Sequence, residues 1–156
     1  MCPTIWTYTL DMSPTPGMSP LERVAGRATW LLSRANTRSQ ALLAAGFATE
    51  GFRGYHYRLL AALDQYGPSS QADLGRHTGI DRSDVVAALN ELADDGCVQR
   101  DPDPADRRRN VVSITRRGRR ALERLDAVVD DVQEAVLEPL TANERATFLR
   151  LLTRLG

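Results

Sequence analysis

The chain has 156 residues, enough for one ordinary domain, and its 42% hydrophobic and 26% charged residues exclude wholesale disorder. The formal net charge is zero, but the charges are segregated: seven arginines and no acid lie between Arg107 and Arg120, and six acids and no base lie between Asp126 and Glu144. No apolar run approaches the roughly 20 residues of a membrane-spanning helix, so the sequence predicts no membrane partner.

Two cysteines, Cys2 and Cys97, and two histidines, His56 and His77, are too few for a disulfide framework or a recognisable metal site. No nucleophile stands in a pattern that pairs it with a general base. The sequence therefore predicts a binding protein rather than an enzyme, with no cofactor and no metal.

Residues 1–17 are rich in proline, threonine and serine, which predicts a disordered lead. They contain neither a basic segment nor the continuous apolar segment of a signal peptide, so we expect a cytoplasmic protein. Met12 and Met18 are alternative start sites.

The first helix is predicted to begin at Ser19-Pro20-Leu21-Glu22, a capping box with proline at the first helical position. It is expected to continue without a break towards Phe47. Its apolar face comprises Leu21, Val24, Ala28, Leu31, Leu32 and Ala35.

A second helix is predicted over residues 54–66, where Gly67-Pro68 stops it. Ser70 is expected to cap a short third helix that ends at Gly79. The residues of the second helix expected to point inward are Leu59, Leu60 and Leu63.

A fourth helix is predicted to begin after Asp81 and to end at Gly96. Two helices joined by a tight turn that contains glycine indicate a helix-turn-helix. A helical projection of the fourth helix places Val85, Ala88, Leu89 and Leu92 on one side, Ser83, Ala87 and Asn90 on the opposite side, and Arg82 and Val86 between them. The small polar side suits a surface that lies close against DNA.

A β-hairpin is predicted over residues 97–115, with a turn at Asp103, Pro104 and Asp106. Arg107, Arg108 and Arg109 follow that turn. Grouped guanidinium ions repel one another in isolation, but they are stabilised by closely spaced phosphates and by a narrow minor groove. A helix-turn-helix followed by such a hairpin is a winged helix, and the arginines stand at the end of its wing.

Two more helices are predicted, one over residues 115–137 and, after Pro139 and a capping box at Thr141, a last one. Their apolar positions are Leu122, Leu125, Val129, Val132 and Val136, then Phe148, Leu151, Leu152 and Leu155. The apolar surface of these helices is larger than the small DNA-reading lobe needs for its own core, so we expect a second copy of the chain to cover it.

The predicted fold is mainly α (α+β), with a winged helix-turn-helix lobe (residues 53–115) between dimerisation helices (residues 18–48 and 116–156), all in one domain over residues 18–156. We call the fourth helix the reading helix, because it is the one expected to contact DNA. A two-fold dimer would place its two copies of this helix about one DNA turn, roughly 34 Å, apart.

The sequence resembles the MarR family of bacterial transcription regulators over about residues 20–156. The resemblance lies in Ser69-Ser70-Gln71-Ala72-Asp73-Leu74, Ile80-Asp81-Arg82-Ser83, Leu89-Asn90-Glu91-Leu92 with Gly96, Asp103-Pro104-Ala105-Asp106-Arg107-Arg108, and Val112-Ser113-Ile114-Thr115 with Gly118. It implies a homodimeric winged helix whose fourth helix enters the major groove and whose wing arginines reach the minor groove. It also implies a small ligand, often an aromatic acid, that binds between lobes and changes the affinity for DNA.

We therefore predict a dimeric, ligand-responsive regulator, a repressor of a neighbouring gene, that binds a pseudo-palindromic double-stranded operator. The predicted DNA contacts are Ser69, Ser70, Gln71, Arg82, Ser83, Asn90, Arg107, Arg108 and Arg109, and Asp106 is expected to orient a wing arginine. The candidate effector residues are Trp30, Tyr55, His56 and Tyr57, of which His56 can donate to a carboxylate.

Two alternatives stay open at this point. One is a winged-helix module that binds a protein partner without specific DNA binding. The other is a regulator that senses oxidants through a cysteine, although neither Cys2 nor Cys97 stands near the first helix as the sensing cysteine does in similar proteins.

Overall fold

Capping residues and glycines set most helix ends in the computed structural model, which describes residues 22–102 and 110–155. The predictions for the lead, for Ser19 to Leu21 and for the wing residues 103–109 therefore lie outside the described residues. In chain order the elements are α1 (Glu22–Ala25), α2 (Ala28–Thr49), α3 (Gly54–Tyr66), α4 (Gln71–Thr78), α5 (Arg82–Asp94), β1 (Val98–Pro102), β2 (Asn110–Ile114), α6 (Arg116–Leu137) and α7 (Ala142–Leu152).

The chain divides into two units, residues 1–36 and 37–156, with the division inside α2. In the first unit the prediction of one continuous helix is wrong, because the helix is interrupted at Gly26 and Arg27. Glycine is a poor helix former, and the Arg27 N–H donates to the Val24 carbonyl in a turn (3.0 Å). Leu31 and Leu32, predicted on the apolar face of this helix, are 51% and 42% exposed in the single chain.

In the second unit the predicted helix-turn-helix is confirmed. The Ser70 hydroxyl accepts the Asp73 N–H at the start of α4 (3.2 Å), and the Asp81 carboxylate accepts the Ser83 N–H at the start of α5 (2.9 Å). Gly79, between them, has φ +65°, a left-handed conformation that glycine adopts without strain. One capped helix end is thus followed within two residues by the next cap, which makes the turn between α4 and α5 tight.

The predicted hairpin is also confirmed. Strands β1 and β2 pair antiparallel, with Val98 opposite Ile114 and Pro102 opposite Asn110. Ser69 adds a further bridge, since its N–H donates to the Val112 carbonyl (3.0 Å) and its carbonyl accepts the Val112 N–H (2.9 Å). The segment before α4 is therefore fixed to the same small sheet as the wing.

One apolar core joins α3, α4, α5, the hairpin and the first half of α6. Leu59, Leu60 and Leu63 of α3 are buried as predicted. The other large, fully buried side chains are Leu74, Val85, Leu89, Leu92, Cys97, Val112 and Leu125. The core thereby holds both helices of the helix-turn-helix and the base of the wing in one packed body.

The two C-terminal helices differ in how much of their apolar surface they bury within one chain. In α6, Leu122 and Leu125 are buried, whereas Val132 and Val136 are only partly covered. No residue of α7 is buried, although its predicted capping box is present, with the Glu144 carboxylate accepting the Thr141 N–H (2.8 Å). None of the helices in the described part of the chain is both long and apolar enough to cross a membrane.

Gly118, in the first turn of α6, lies directly against the start of the wing. A Cβ atom added there would stand 2.1 Å from the Cys97 carbonyl oxygen and 2.8 Å from the Ile114 side chain. Only a residue without a side chain allows α6 to approach the chain between α5 and β1 this closely.

We expect Gly118→Ala to lower the free energy of unfolding by about 2 kcal/mol or more, because the backbone must shift to remove the overlap. The measurement is urea denaturation followed by circular dichroism. Gly54→Ala is the control, since its added Cβ would meet only the Phe47 ring at 3.9 Å, and it should be neutral or slightly stabilising. Equal stability of the two variants would contradict the expectation.

Candidate nucleic-acid interface

The outward side of α5 is small and polar, as the helical projection predicted. Val85, Ala88, Leu89 and Leu92 are buried, whereas Arg82, Ser83, Ala87 and Asn90 are exposed. Among the described residues the Arg82 guanidinium has no hydrogen-bond or ion-pair partner. The side of α5 that faces solvent therefore presents one unpaired guanidinium and short side chains, which allow another molecule to approach the helix backbone closely.

The start of α5 is rigidified by its own cap. The Ser83 hydroxyl donates to the Asp81 carboxylate (2.7 Å), in addition to the bond from the Ser83 N–H. These two bonds hold the pKa of Asp81 below its ordinary value, so the cap stays ionised at neutral pH. Ser83 thus uses its donor in the cap, but its oxygen remains able to accept a hydrogen bond.

Asn90 is tied to the wing. Its side-chain oxygen accepts a hydrogen bond from the Arg100 guanidinium on β1 (2.7 Å), and both residues are exposed. Arg100 was not among the residues predicted from the sequence, although an arginine on a strand next to the reading helix is a signal that could have indicated it. The contact fixes the amide of Asn90 and places a second guanidinium beside α5.

The three predicted contact residues before and at the start of α4 differ in accessibility. Ser69 is buried, and its hydroxyl donates to the Gly67 carbonyl (2.9 Å). Ser70 is also buried, and its hydroxyl donates to the Asp73 carboxylate (2.6 Å) while capping the helix. Gln71 is partly exposed. Ser69 and Ser70 have structural roles here, and Gln71 is the most accessible of the three. Arg107, Arg108, Arg109 and Asp106 lie outside the described residues.

A polar network that the sequence did not predict links α3 to α5. His56 is 4% exposed, its Nδ1 accepts the Arg53 N–H (3.3 Å), and its Nε2 lies 2.8 Å from the Glu91 carboxylate. Arg53 also forms an ion pair with Glu91. Because Nδ1 is the acceptor, the neutral ring carries its proton on Nε2 and donates it to Glu91. The sequence contained one signal for this network. Arg53 is the N-cap of α3 and His56 is the third residue of that helix, a spacing at which a side chain can bond back to the cap.

The four candidate effector residues lie in different settings. His56 belongs to the network just described. Tyr57 stacks on Phe47 (centroids 5.4 Å apart) and donates its hydroxyl to Asp126 (3.0 Å), and Tyr55 is exposed beside the Arg58 guanidinium. Trp30 lies in the first unit, where its indole N–H is buried without a hydrogen-bond partner among the described residues. Three of the four thus share α3, and two of those three already have polar partners.

Burial lowers the pKa of His56 despite the neighbouring Glu91 carboxylate, which acts in the opposite direction. The ordinary value is about 6.5, so the unfolded chain takes up a proton there that the folded chain resists. The stability contributed by the neutral ring is full above pH of about 6.5 and is lost as the pH falls towards the folded-state pKa.

We expect the free energy of unfolding to fall on acidification below pH of about 6.5, by at most about 1.4 kcal/mol per pH unit for this one group. His56→Gln should flatten that dependence between pH of about 7.5 and about 5.5. The measurement is urea denaturation at several pH values. His77→Gln is the control, because that ring is exposed and lies beside the Tyr66 ring, with centroids 4.1 Å apart. An unchanged slope in the His56 variant would show that the group is not responsible.

Comparison with known proteins agrees with this geometry. A MarR family profile matches residues 51–109, from the start of the helix-turn-helix region into the wing. The repressor NicR of Pseudomonas putida is 30% identical over 150 residues, which cover 94% of this chain and 95% of NicR.

Two solved structures have the same fold. The Mycobacterium tuberculosis MarR family protein Rv2887, in complex with DNA, is 28% identical with a TM-score of 0.73, covering 83% of this chain and 98% of that one. BpsR of Bordetella bronchiseptica, whose DNA binding is regulated by 6-hydroxynicotinic acid, is 25% identical with a TM-score of 0.73, covering 88% and 97%.

The similarity to NicR extends over nearly the whole of both chains, and the profile covers the segment that contains α4, α5 and β1. MarR family proteins are DNA-binding transcription factors rather than enzymes. The winged helix with an outward polar reading helix is the architecture that this function needs. The chain therefore belongs to the MarR family of winged-helix transcriptional regulators.

Proposed function

We propose that the protein is a dimeric, ligand-responsive transcriptional repressor of a neighbouring gene, and that it binds a pseudo-palindromic duplex. The observation that carries the proposal is the outward side of α5, where Arg82, Ser83, Ala87 and Asn90 are exposed above a fully packed apolar side. A helix held this rigidly, with short side chains outward, can lie in a major groove.

In this proposal Arg82 and Ser83, at the start of α5, contact bases or phosphates, and Asn90 reads a base edge. Asn90 retains its amide donors, because Arg100 uses only its oxygen. Gln71, Ser69 and Ser70 lie near a phosphate, where the N-terminus of α4 offers free N–H groups. The burial of both serines favours backbone contacts over hydroxyl contacts at this point.

The wing arginines supply the minor-groove contacts in this proposal. The last described wing pair is Pro102 with Asn110, and the residues between them include Arg107, Arg108 and Arg109. Asp106 is repelled by phosphate, so we assign it the role of orienting a wing arginine through a charge-assisted hydrogen bond.

Dimerisation is proposed from apolar side chains that one chain leaves uncovered. Leu31 and Leu32 of α2 are exposed, and so are Leu149, Leu151 and Leu155 at the C-terminus, the last at 73%. Exposed apolar surface on several helices is typical of surfaces that a second copy covers.

Regulation by a small aromatic acid is proposed from the similarity to BpsR, whose DNA binding responds to 6-hydroxynicotinic acid. The candidate contacts remain Trp30, Tyr55, His56 and Tyr57. Of these, Tyr55 keeps an accessible ring, and His56 belongs to the network that reaches α5.

The central experiment is fluorescence anisotropy of the dimeric protein with duplex DNA from upstream of its own gene, at several salt concentrations. We expect preference over an unrelated duplex and a steep salt dependence. In the double variant Arg107→Ala and Arg108→Ala, the slope of log K against log salt should shallow by about 0.9 for each phosphate that the variant no longer neutralises.

The matched control removes two exposed arginines from α7 and the residues after it, Arg150→Ala with Arg154→Ala, and should leave the slope unchanged. Sedimentation establishes that each variant is a folded dimer. A folded dimer that binds neither duplex at low salt would overturn the proposal in favour of a protein-binding winged helix.

The oxidant-sensing alternative makes a contrary prediction at Cys97. That residue is 1% exposed, and burial together with the nearby Asp95 carboxylate raises the pKa of its thiol. In a Cys2→Ser variant we expect the native protein to react with a disulfide reagent far more slowly than the urea-unfolded chain. Rapid stoichiometric reaction of the native protein would favour oxidant sensing.

A further inference from the structure

The hydrogen bond between Arg100 and Asn90 determines which atoms of Asn90 are left for DNA. The Arg100 guanidinium, on β1, donates to the side-chain oxygen of Asn90, on α5, over 2.7 Å. A guanidinium has only donors, so the amide atom that faces it is necessarily the oxygen and not the nitrogen. The orientation of the Asn90 amide therefore follows from the chemistry of its partner, and its nitrogen has no hydrogen-bond partner among the described residues.

The backbones that carry the two side chains are fixed by the core. Asn90 follows Leu89, which is fully buried, and Arg100 lies opposite Val112 in the middle of the hairpin. Val112 is itself fully buried and is bridged to Ser69. The pair is therefore held in place before any DNA binds, and a preorganised contact loses little conformational freedom on binding.

Asn90 lies on the small polar side of the reading helix, about two turns after Ser83. Ala87, which stands between them on the same side, is exposed and offers only a methyl group. A base edge can therefore approach the Asn90 amide from this side without displacing a longer side chain. The amide nitrogen that the base would meet carries two N–H donors.

The bases differ in how well they match such a group. Asparagine ordinarily recognises adenine with both amide atoms, because its oxygen accepts from the N6 amino group while its nitrogen donates to N7. At Asn90 the oxygen already accepts from Arg100, so the adenine amino group would meet the guanidinium N–H groups at the same oxygen. Guanine presents only acceptors, O6 and N7, in the major groove. The N–H donors of Asn90, next to the positive charge of Arg100, match that edge.

We propose that Arg100 makes Asn90 a reader that only donates, and that Asn90 thereby selects guanine over adenine at one position of each half-site. The inference rests on the proposed function, since it requires that the reading helix lies in a major groove. Arg100 is the positioning residue, and Asn90 is the residue that touches the base.

The test compares base preferences rather than affinities alone. Each variant, shown to be a folded dimer by circular dichroism and sedimentation, is mixed with duplexes randomised over about 20 base pairs, and the bound sequences are determined. For the wild type we expect one symmetric position at which guanine is favoured over adenine at least about fivefold. Asn90→Ala should abolish the preference at that position and leave the preferences elsewhere unchanged.

Arg100→Met removes the donor and frees the amide oxygen, so the ratio of guanine to adenine at that position should fall to about one or below. Arg100→Lys keeps a donor and a positive charge, so it should keep the preference for guanine. The matched control is Gln99→Met. Gln99 is the neighbouring residue of β1, its side chain lies on the opposite face of the strand, and it donates to Asp101 (3.1 Å), so its loss should change no base preference.

Two outcomes would contradict the inference while the proposed function stands. One is an Arg100→Met variant that binds every duplex more weakly but keeps all base preferences, because Arg100 would then contact a phosphate. The other is an Asn90→Ala variant with unchanged preferences. A wild-type dimer that selects no sequence from the pool would instead overturn the proposed function, and this inference with it.

Discussion

Burial of one side of α5 is the constraint on which the rest of the structure depends. Val85, Ala88, Leu89 and Leu92 pack into the core that α3, α4, the hairpin and α6 share. Because one side of the helix packs into the core, the opposite side faces solvent. The exposed polar side is therefore a consequence of packing: the residues that can contact another molecule are those that the core does not use.

Polar contacts then refine what the apolar packing establishes. The Arg53–His56–Glu91 network fixes the start of α3 against the C-terminal half of α5, and the Arg100–Asn90 bond fixes the wing against the same half. Since His56 is buried, its partners must satisfy both ring nitrogens, and they do so in one tautomer only. Apolar packing alone does not fix the position of α3 along α5, whereas these directional hydrogen bonds do.

The close approach of Gly118 to the Cys97 carbonyl connects this packed body to α6, along which Arg117, Arg120 and Arg124 line a cavity of about 480 Å³. The same turn that ends α5 therefore borders both the core and the cavity. The three segments that line this cavity, residues 50–52, 95–97 and 117–124, are far apart in the sequence, so the sequence alone does not show that they meet.

Local signals determined much of the fold. The caps at Ser70, Asp81 and Thr141 placed helix starts correctly, and the apolar period of α5 gave the correct inward and outward sides, because both depend on residues within a few positions of one another. The same local reasoning failed at Gly26, where a cap and an apolar period suggested continuity but one poor helix former interrupts the helix.

What only the tertiary structure decided is which distant side chains meet. Glu91 pairs with His56, Arg100 with Asn90, and Arg124 with Glu50. The two members of these pairs stand 10 to 74 positions apart along the chain. Periodicity and capping contain no information about such pairs, because these contacts arise only when the core brings separate helices together.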